Sequence, residues 1–380
     1  MSEAIADRFR RVAVVHEWLT IPGGSEQVVC AILGLLPDAE VFTSIYDPAP
    51  WPPVLTGRPV HASFLNRVPG AKRRYTYLLP LMDAAFRSLD LTGFDLVISS
   101  NHACAKNVRT PAGALHVCYC HTPMRYAWDP AFLAGEAIGV LPRRLLPIGT
   151  SWLRHVDRKR AAGPDVFVAN SSFVAGRIMQ AYGRSSHVIH PPVDIARLLG
   201  AQRDPGDAYL VFGRLVPYKR VDVAIEACAR LGRKLIVAGT GRDLDRLRRI
   251  APPDTEFAGH VPDDRLGELF GRARALLFPG VEDFGMVPVE AQATGLPVIA
   301  YGVGGVLDSV IDGRTGVLYD DGSVEGLCQA MLRFESLSFD EIELRAHAAR
   351  FGPDQFAAAF AQLLTDLADR ANSADILGLR

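Results

Sequence analysis

Two glutamates, Glu282 and Glu290, stand either side of a glycine turn in Phe278-Pro279-Gly280-Val281-Glu282-Asp283-Phe284-Gly285-Met286-Val287-Pro288-Val289-Glu290-Ala291. The apolar run before them reads as a strand, so Glu282 is expected in a loop and Glu290 inside the next helix. Carboxylates so spaced can touch two parts of one ligand. Main-chain N–H groups around Phe284, Gly285, Met286 and Val287 then fall at the amino end of that helix, where they can bond hydroxyls or phosphate. Upstream, another strand runs into Phe212-Gly213-Arg214-Leu215-Val216-Pro217-Tyr218-Lys219-Arg220. At the carboxyl end of a parallel strand Gly213 brings the backbone close to a ligand, while Arg214 and Lys219 supply fixed positive charge. A diphosphate is the natural guest. Either segment alone also reads as a solvated turn or a surface helix; together, and followed by Ala293-Thr294-Gly295-Leu296-Pro297-Val298-Ile299-Ala300, they point to a ligand site.

The first half offers a second group of residues. A strand ending at His16 is followed by Ile21-Pro22-Gly23-Gly24-Ser25-Glu26, a tight turn whose exposed amides at a helix start favour an anion. Gly23 and Gly24 do not make the three-glycine dinucleotide fingerprint, which argues against a nicotinamide cofactor. His102, in Ser99-Ser100-Asn101-His102, follows a strand end and is a candidate for acceptor contact. His116, Cys118, Cys120 and His121 together could suggest a metal. However, strand alternation puts 116, 118 and 120 on one face and 121 on the other, and the spacing matches no usual zinc pattern. No metal and no cofactor are expected.

These residues need strands and helices to hold them. β-branched runs alternate with amphipathic stretches of helical length along the whole chain, which is the α/β pattern, and runs without strict alternation suit parallel strands buried on both faces. Strands are expected near 11–16, 39–45, 94–100, 114–120 and 165–170, then near 208–213, 234–238, 255–258, 275–279, 297–301 and 316–319. Helices are expected in the first half around 24–35, 74–88, 145–162 and 172–182. His190-Pro191-Pro192-Val193-Asp194 cannot continue a helix and serves as the linker. This divides the chain into domains at 1–190 and 191–352, with a closing helix and tail at 353–380. Phe356, Phe360, Leu363, Leu364 and Leu367 line one face of that helix, which must pack on one domain or the other.

Of the 380 residues 49% are hydrophobic and 22% charged, a composition that excludes disorder, collagen and coiled coil. The net charge of −1 conceals an asymmetry: residues 1–190 hold 20 Lys and Arg against 14 Asp and Glu, and the remainder is acidic. An anionic surface or ligand would therefore meet the first half. Its basic residues cluster at Lys72-Arg73-Arg74, beside Tyr75, Tyr77, Leu78 and Leu81, at Arg143-Arg144, and from Arg154 to Arg160, a pattern suited to an anionic bilayer. Nucleic acid is disfavoured by the near-neutral total and the lack of a recognition motif. No uncharged apolar stretch reaches the roughly 18 residues of a spanning helix. The first residues lack a signal-peptide pattern, and six scattered cysteines agree with a reducing compartment. A cytoplasmic location, peripheral on the inner face of the cell membrane, is the expectation.

The Glu282-x7-Glu290 motif, the Gly213-Arg214-Leu215…Lys219 segment and the Gly23-Gly24 loop resemble, over nearly the whole chain, the retaining nucleotide-sugar-dependent glycosyltransferases of family 4. That resemblance implies the GT-B fold: two Rossmann-like doubly wound α/β domains facing across a cleft, with the C-terminal helix crossing back to the first. It implies that Arg214 and Lys219 hold the donor diphosphate, that Glu290 binds the ribose hydroxyls, and that Glu282 lies beside the transferred sugar. The amides near Phe284 and Gly285 would fix that sugar's hydroxyls, and the base would meet backbone near Gly259-His260-Val261. A first-domain histidine against the donor sugar would here be His121. The segment Tyr119-Cys120-His121-Thr122-Pro123-Met124-Arg125-Tyr126-Ala127-Trp128-Asp129, with Pro217-Tyr218-Lys219-Arg220, is similar to the bacterial mannosyltransferase branch that builds O-antigen and exopolysaccharide repeats. That branch implies GDP-mannose as donor and a polyprenyl-diphosphate-linked glycan as acceptor, with Arg125 among the acceptor contacts. The same family admits UDP-glucose or another UDP-hexose as donor, or an inactive sugar-nucleotide-binding subunit.

Overall fold

The computed structural model describes residues 8–49, 51–129, 146–198 and 200–376. It divides into two compact units, residues 1–192 with 354–380, and residues 193–353. Each is built on a parallel sheet whose central strands are buried on both faces. The first sheet holds β1 (Val12–His16), β2 (Glu40–Thr43), β3 (Val60–Ala62), β4 (Leu96–Asn101), β5 (Leu115–Cys120), β6 (Val166–Ala169) and β7 (His187–Val188), in the order β3-β2-β1-β4-β5-β6-β7. The second holds β8 (Tyr209–Phe212), β9 (Leu235–Ala238), β10 (Glu256–Gly259), β11 (Leu276–Phe278), β12 (Val298–Tyr301) and β13 (Gly316–Tyr319), in the order β10-β9-β8-β11-β12-β13. This is the doubly wound α/β architecture expected from the alternation of apolar and amphipathic segments.

In each sheet the strand order reverses beside the first strand, between β1 and β4 and between β8 and β11. Loops leaving a parallel sheet at such a point diverge to opposite faces and leave a crevice outside the carboxyl ends. His16 and Asn101 close β1 and β4, while Phe212 and Phe278 close β8 and β11. The chemistry-bearing segments therefore start at the two switch points.

Local signals set several elements. Ser171 accepts a hydrogen bond from the Val174 amide at 3.1 Å and opens the helix Ser172–Tyr182, which Gly183 closes at φ 67°. The helix expected at 74–88 is instead three pieces: Ala71–Arg74, a 3-10 turn Tyr75–Leu78, and Leu79–Arg87. Pro80 explains the break, because a ring without an N–H fits the first turn of a helix and not its interior. The edge strands β3 and β7, of three and two residues, carry too little apolar pattern to be read from sequence. The closing helix runs Pro353–Ile376 and lays Phe356, Phe360 and Leu364 into the core of the first unit beside Val14, Val28 and Tyr119.

One polar node sits inside the first unit. Lys106 and Asp157 are both buried and form an ion pair, and Asp157 also accepts from Trp128 Nε1 and Tyr182 Oη, each at 2.7 Å. Lys106 donates further to the Ala103 carbonyl at 3.2 Å. The node ties the loop after β4 to the helix Leu146–Arg160 and the helix Ser172–Tyr182.

Candidate active site

In the second unit the strand ends bring Lys219 and Glu282 together. Lys219 closes a 3-10 turn, Pro217–Lys219, and its Nζ lies 2.8 Å from Glu282 Oε1. Burial works against the ammonium charge, but the adjacent Glu282 outweighs it and raises the Lys219 pKa above its usual value. Gly213 makes room for this pair: its φ is 132°, and a Cβ there would stand 2.9 Å from Lys219 Nζ. Arg214 follows on the exposed side of the same turn. The loop carrying Glu282 is held from β12's far end, where the Gly305 amide donates to the Glu282 carbonyl at 2.9 Å. Gly304, at φ 97°, could carry no side chain, since a Cβ would meet that carbonyl at 2.5 Å.

Gly285 precedes the helix Met286–Ala293, so the amides of Met286 and Val287 lie in its first turn. The Phe284 side chain is buried against Phe351, with ring centroids 5.7 Å apart. Glu290 sits within that helix and is engaged by a residue the sequence did not single out. Arg197 Nη2 donates to Glu290 Oε1 at 2.7 Å, and Arg197 Nη1 pairs with Asp263 at 2.7 Å. Burial pushes the Glu290 carboxyl up despite the guanidinium beside it. Val261 follows β10 and packs partly buried against the second unit's core. The set thus gathers an ammonium, an exposed guanidinium, two carboxylates and a helix amino end, which suits a ligand with a diphosphate and several hydroxyls.

In the first unit the geometry centres on His121, at the end of β5. Its Nε2 lies 2.8 Å from Ser100 Oγ, and its carbonyl accepts from Asn170 Nδ2 at 3.1 Å. Ser100 Oγ is also 3.1 Å from His16 Nδ1, and His16 Nε2 is 3.0 Å from Glu26 Oε1. Gly23 caps the helix Gly24–Leu35, whose first turn holds Glu26; a Cβ on Gly23 would come within 3.0 Å of Glu26 Oε2. The turn expected to receive an external anion therefore carries a carboxylate of its own. His102 lies near, its ring 4.8 Å from Trp18 and 6.4 Å from His121. Arg125 opens the short helix Arg125–Trp128. Glu17, fully buried, accepts from the amides of His102, Ala103, Cys104 and Ala105 at 2.7–3.1 Å. Neither Glu17 nor Arg197 carries a local signal, because each finds its partners at long range in sequence.

The alternative of a metal at His116 meets a direct obstacle, since its Nε2 is 2.8 Å from Ser99 Oγ and its Nδ1 3.0 Å from Thr110 Oγ1. Cys118 and Cys120 pack in an apolar cluster with Phe167, Val174 and Ile178. Part of the expected basic surface is also engaged within the protein. Arg154 donates to the Ala127 carbonyl at 2.6 Å, Arg158 to that of Ala181 at 3.0 Å, and Arg160 pairs with Asp83 at 2.7 Å. Long side chains with apolar stems reach buried carbonyls that a reading of charge alone assigns to solvent. Arg143 and Arg144 lie outside the described residues.

Residues 22–197 match Glycosyltransferase Family 4, and residues 201–355 match Glycosyl transferases group 1. The chain is a family 4 domain followed by a group 1 glycosyltransferase domain. It is 33% identical over 239 residues to a D-inositol 3-phosphate glycosyltransferase of Catenulispora acidiphila, covering 52% of this chain and 55% of that one. It is 38% identical over 216 residues to a glycogen synthase of Mycobacterium tuberculosis, covering 52% and 50%. The chain spans about half the length of the curated relatives it matches. Among solved structures, Anabaena Alr3699/HepE in complex with UDP and glucose superposes with a TM-score of 0.67 at 18% identity, over 93% of this chain and 99% of that one. Sucrose-phosphate synthase of Thermosynechococcus elongatus superposes with a TM-score of 0.69 at 17% identity, over 94% and 98%. These likenesses show the GT-B fold. The group 1 domain contains Lys219, Glu282 and Glu290, and the family 4 domain contains His121.

Proposed function

We propose that this chain is a retaining glycosyltransferase that moves α-mannose from GDP-mannose to a polyprenyl-diphosphate-linked glycan in bacterial O-antigen or exopolysaccharide assembly. The observation that carries the transferase reading is the Lys219–Glu282 pair at 2.8 Å beside side-chain-less Gly213, at the switch point of the group 1 domain. On this reading Arg214 and Lys219 stabilise the charge that develops on the departing phosphate. Glu282 and the amides of Phe284 to Val287 take the sugar hydroxyls, and Glu290 takes the ribose. Retention then needs no carboxylate nucleophile, because the acceptor hydroxyl approaches from the leaving-group side and the departing diphosphate receives its proton. Protein cations take the charge-neutralising role, so no metal or cofactor is invoked. GDP-mannose rests on the motif resemblance at 119–129 and 217–220.

Thermal unfolding in the presence of GDP, UDP, ADP and their common sugars tests the donor. A ligand present at a hundred times its Kd raises stability by about 2.7 kcal/mol, so GDP and GDP-mannose are expected to raise the unfolding midpoint by several degrees. Selective stabilisation by UDP sugars replaces mannose with a UDP-hexose, and no response to any nucleotide replaces the enzyme with an inactive subunit.

The acceptor reading draws on the segment after β3. Phe64, Val68, Tyr77 and Leu81 are exposed there beside exposed Arg73 and beside Lys72, which is 3.3 Å from Asp47. No helix among the described residues is long and apolar enough to cross a membrane. We assign this segment to peripheral contact with an anionic cytoplasmic leaflet. Each basic residue near such a surface contributes about 1 kcal/mol, so changing Lys72 and Arg73 to Ser is expected to weaken binding to phosphatidylserine vesicles about thirtyfold. Unchanged binding removes the membrane assignment. The relatives named as D-inositol 3-phosphate glycosyltransferases favour a second acceptor, a soluble phosphorylated polyol, which transfer to each acceptor class distinguishes.

A further inference from the structure

Four side chains of the first unit form one hydrogen-bonded line: Glu26 Oε1 to His16 Nε2 at 3.0 Å, His16 Nδ1 to Ser100 Oγ at 3.1 Å, and Ser100 Oγ to His121 Nε2 at 2.8 Å. Strand register builds it. Parallel pairing sets His16 beside Ser100 and Asn101 beside Cys120, so His121 falls at the end of the next strand. His16, Ser100 and Glu26 are buried, whereas His121 is partly open. We infer that Glu26, His16 and Ser100 are positioning residues that fix the tautomer of His121, so that Nδ1 stands as an unprotonated acceptor for a substrate hydroxyl.

The donor count leads there step by step. Glu26 is an acceptor only, since burial opposes its ionisation but the hydrogen bond from His16 outweighs it and lowers its pKa. Its other oxygen already accepts from Ser25 Oγ at 2.9 Å. His16 must then carry its proton on Nε2. In a neutral His16, Nδ1 is a lone pair and takes the single Ser100 hydroxyl proton. Ser100 Oγ can only accept from the other side, so His121 carries its proton on Nε2 and leaves Nδ1 bare. Burial above all holds the His121 pKa well below the usual histidine range. Nδ1 makes no hydrogen bond to a described residue. A protonated His16 would still donate to Glu26 but would reverse the two bonds through Ser100 and leave an N–H at that position, so the charge of His16 decides whether His121 accepts or donates.

Other groups pack around the line without entering it. His102 faces both histidines, with ring centroids 6.1 Å from His16 and 6.4 Å from His121. Tyr119 meets the His121 ring edge at 5.2 Å, and Glu17 is spent on four amides. Use of Nδ1 against a sugar rests on the proposed transferase function together with the family resemblance, which implies that His121 lies against the donor sugar; the tautomer itself does not.

Ring nitrogen spectra of the full chain labelled with 15N-histidine, at pH 8, test the inference, with the His121 signals assigned by loss in His121→Gln. The expected result is an Nε2–H, bare-Nδ1 His121 in the wild type, a mixture of tautomers in Ser100→Ala, and return of the single tautomer in Ser100→Thr. Ser100→Ala is also expected to lower kcat about tenfold, the worth of one hydrogen bond to a reacting assembly, with Ser100→Thr recovering it. A wild-type His121 protonated on Nδ1, or an unchanged tautomer in Ser100→Ala, overturns the inference. The expected spectra combined with full turnover in His121→Ala leave the hydrogen-bonded line standing and overturn instead the placement of His121 at the sugar.

Discussion

Lys219→Ala is expected to lower turnover of the nucleotide sugar by about 10²–10³-fold, the range found when one preorganised donor to a developing oxyanion is removed. The fold should survive, because Lys219 closes a surface 3-10 turn and its charge is directed at Glu282, not at the core. Its effect belongs to the transition state, where charge accumulates on the leaving phosphate, so kcat should fall more than nucleotide binding does. Lys219→Arg should rescue poorly. The space that Gly213 leaves is matched to an ammonium, with 2.9 Å between Nζ and the position a Cβ would take, and a planar guanidinium is wider. Initial rates with the donor identified by thermal unfolding, together with the dissociation constant of its diphosphate, decide the matter. A variant with turnover within about threefold of wild type would remove charge stabilisation by Lys219 from the mechanism.

The second large effect is on stability. Lys106→Met is expected to destabilise the first unit by about 3–5 kcal/mol, the usual result of removing one partner from a buried ion pair. The cost is the charge left behind: Asp157 would keep its two neutral donors, Trp128 Nε1 and Tyr182 Oη, but lose the only full positive charge among its described hydrogen-bond partners. Neutralising that carboxylate with Asp157→Asn in the same chain should recover part of the loss, since an amide can still accept from both. Urea unfolding followed by tryptophan emission would report the change, because Trp128 is part of the node. If Lys106→Met unfolds within about 1 kcal/mol of wild type, the ion pair is not a determinant of stability.

The strands were legible because local physics forms them. Ser171 and Gly183 mark the ends of one helix chemically, and apolar runs such as Val12–His16 and Leu235–Ala238 are buried on both faces in parallel sheets. Pro80 should have divided 74–88 at the sequence level, whereas the short edge strands β3 and β7 depend on neighbours that already exist. The same division holds for the site. Gly213, Lys219, Glu282 and Glu290 lie within two short stretches whose spacing carries the chemistry. Arg197, by contrast, reaches Glu290 across 93 positions, and His16 reaches Ser100 across 84.

The sequence by itself determined the kind of protein: alternating α/β elements, an electrically asymmetric chain, and clustered cations and carboxylates suited to a phosphorylated, hydroxylated ligand. Periodicity, capping and motif spacing are short-range properties, so they can be read without coordinates. Only the tertiary structure decided which side chains hold the functional ones in place. Strand register sets His16 beside Ser100, the loop after β4 wraps its amides around Glu17, and Arg154, Arg158 and Arg160 find partners on other elements. Those outcomes come from long-range pairing and from the need of buried polar groups to find partners, and no local stretch of residues encodes either.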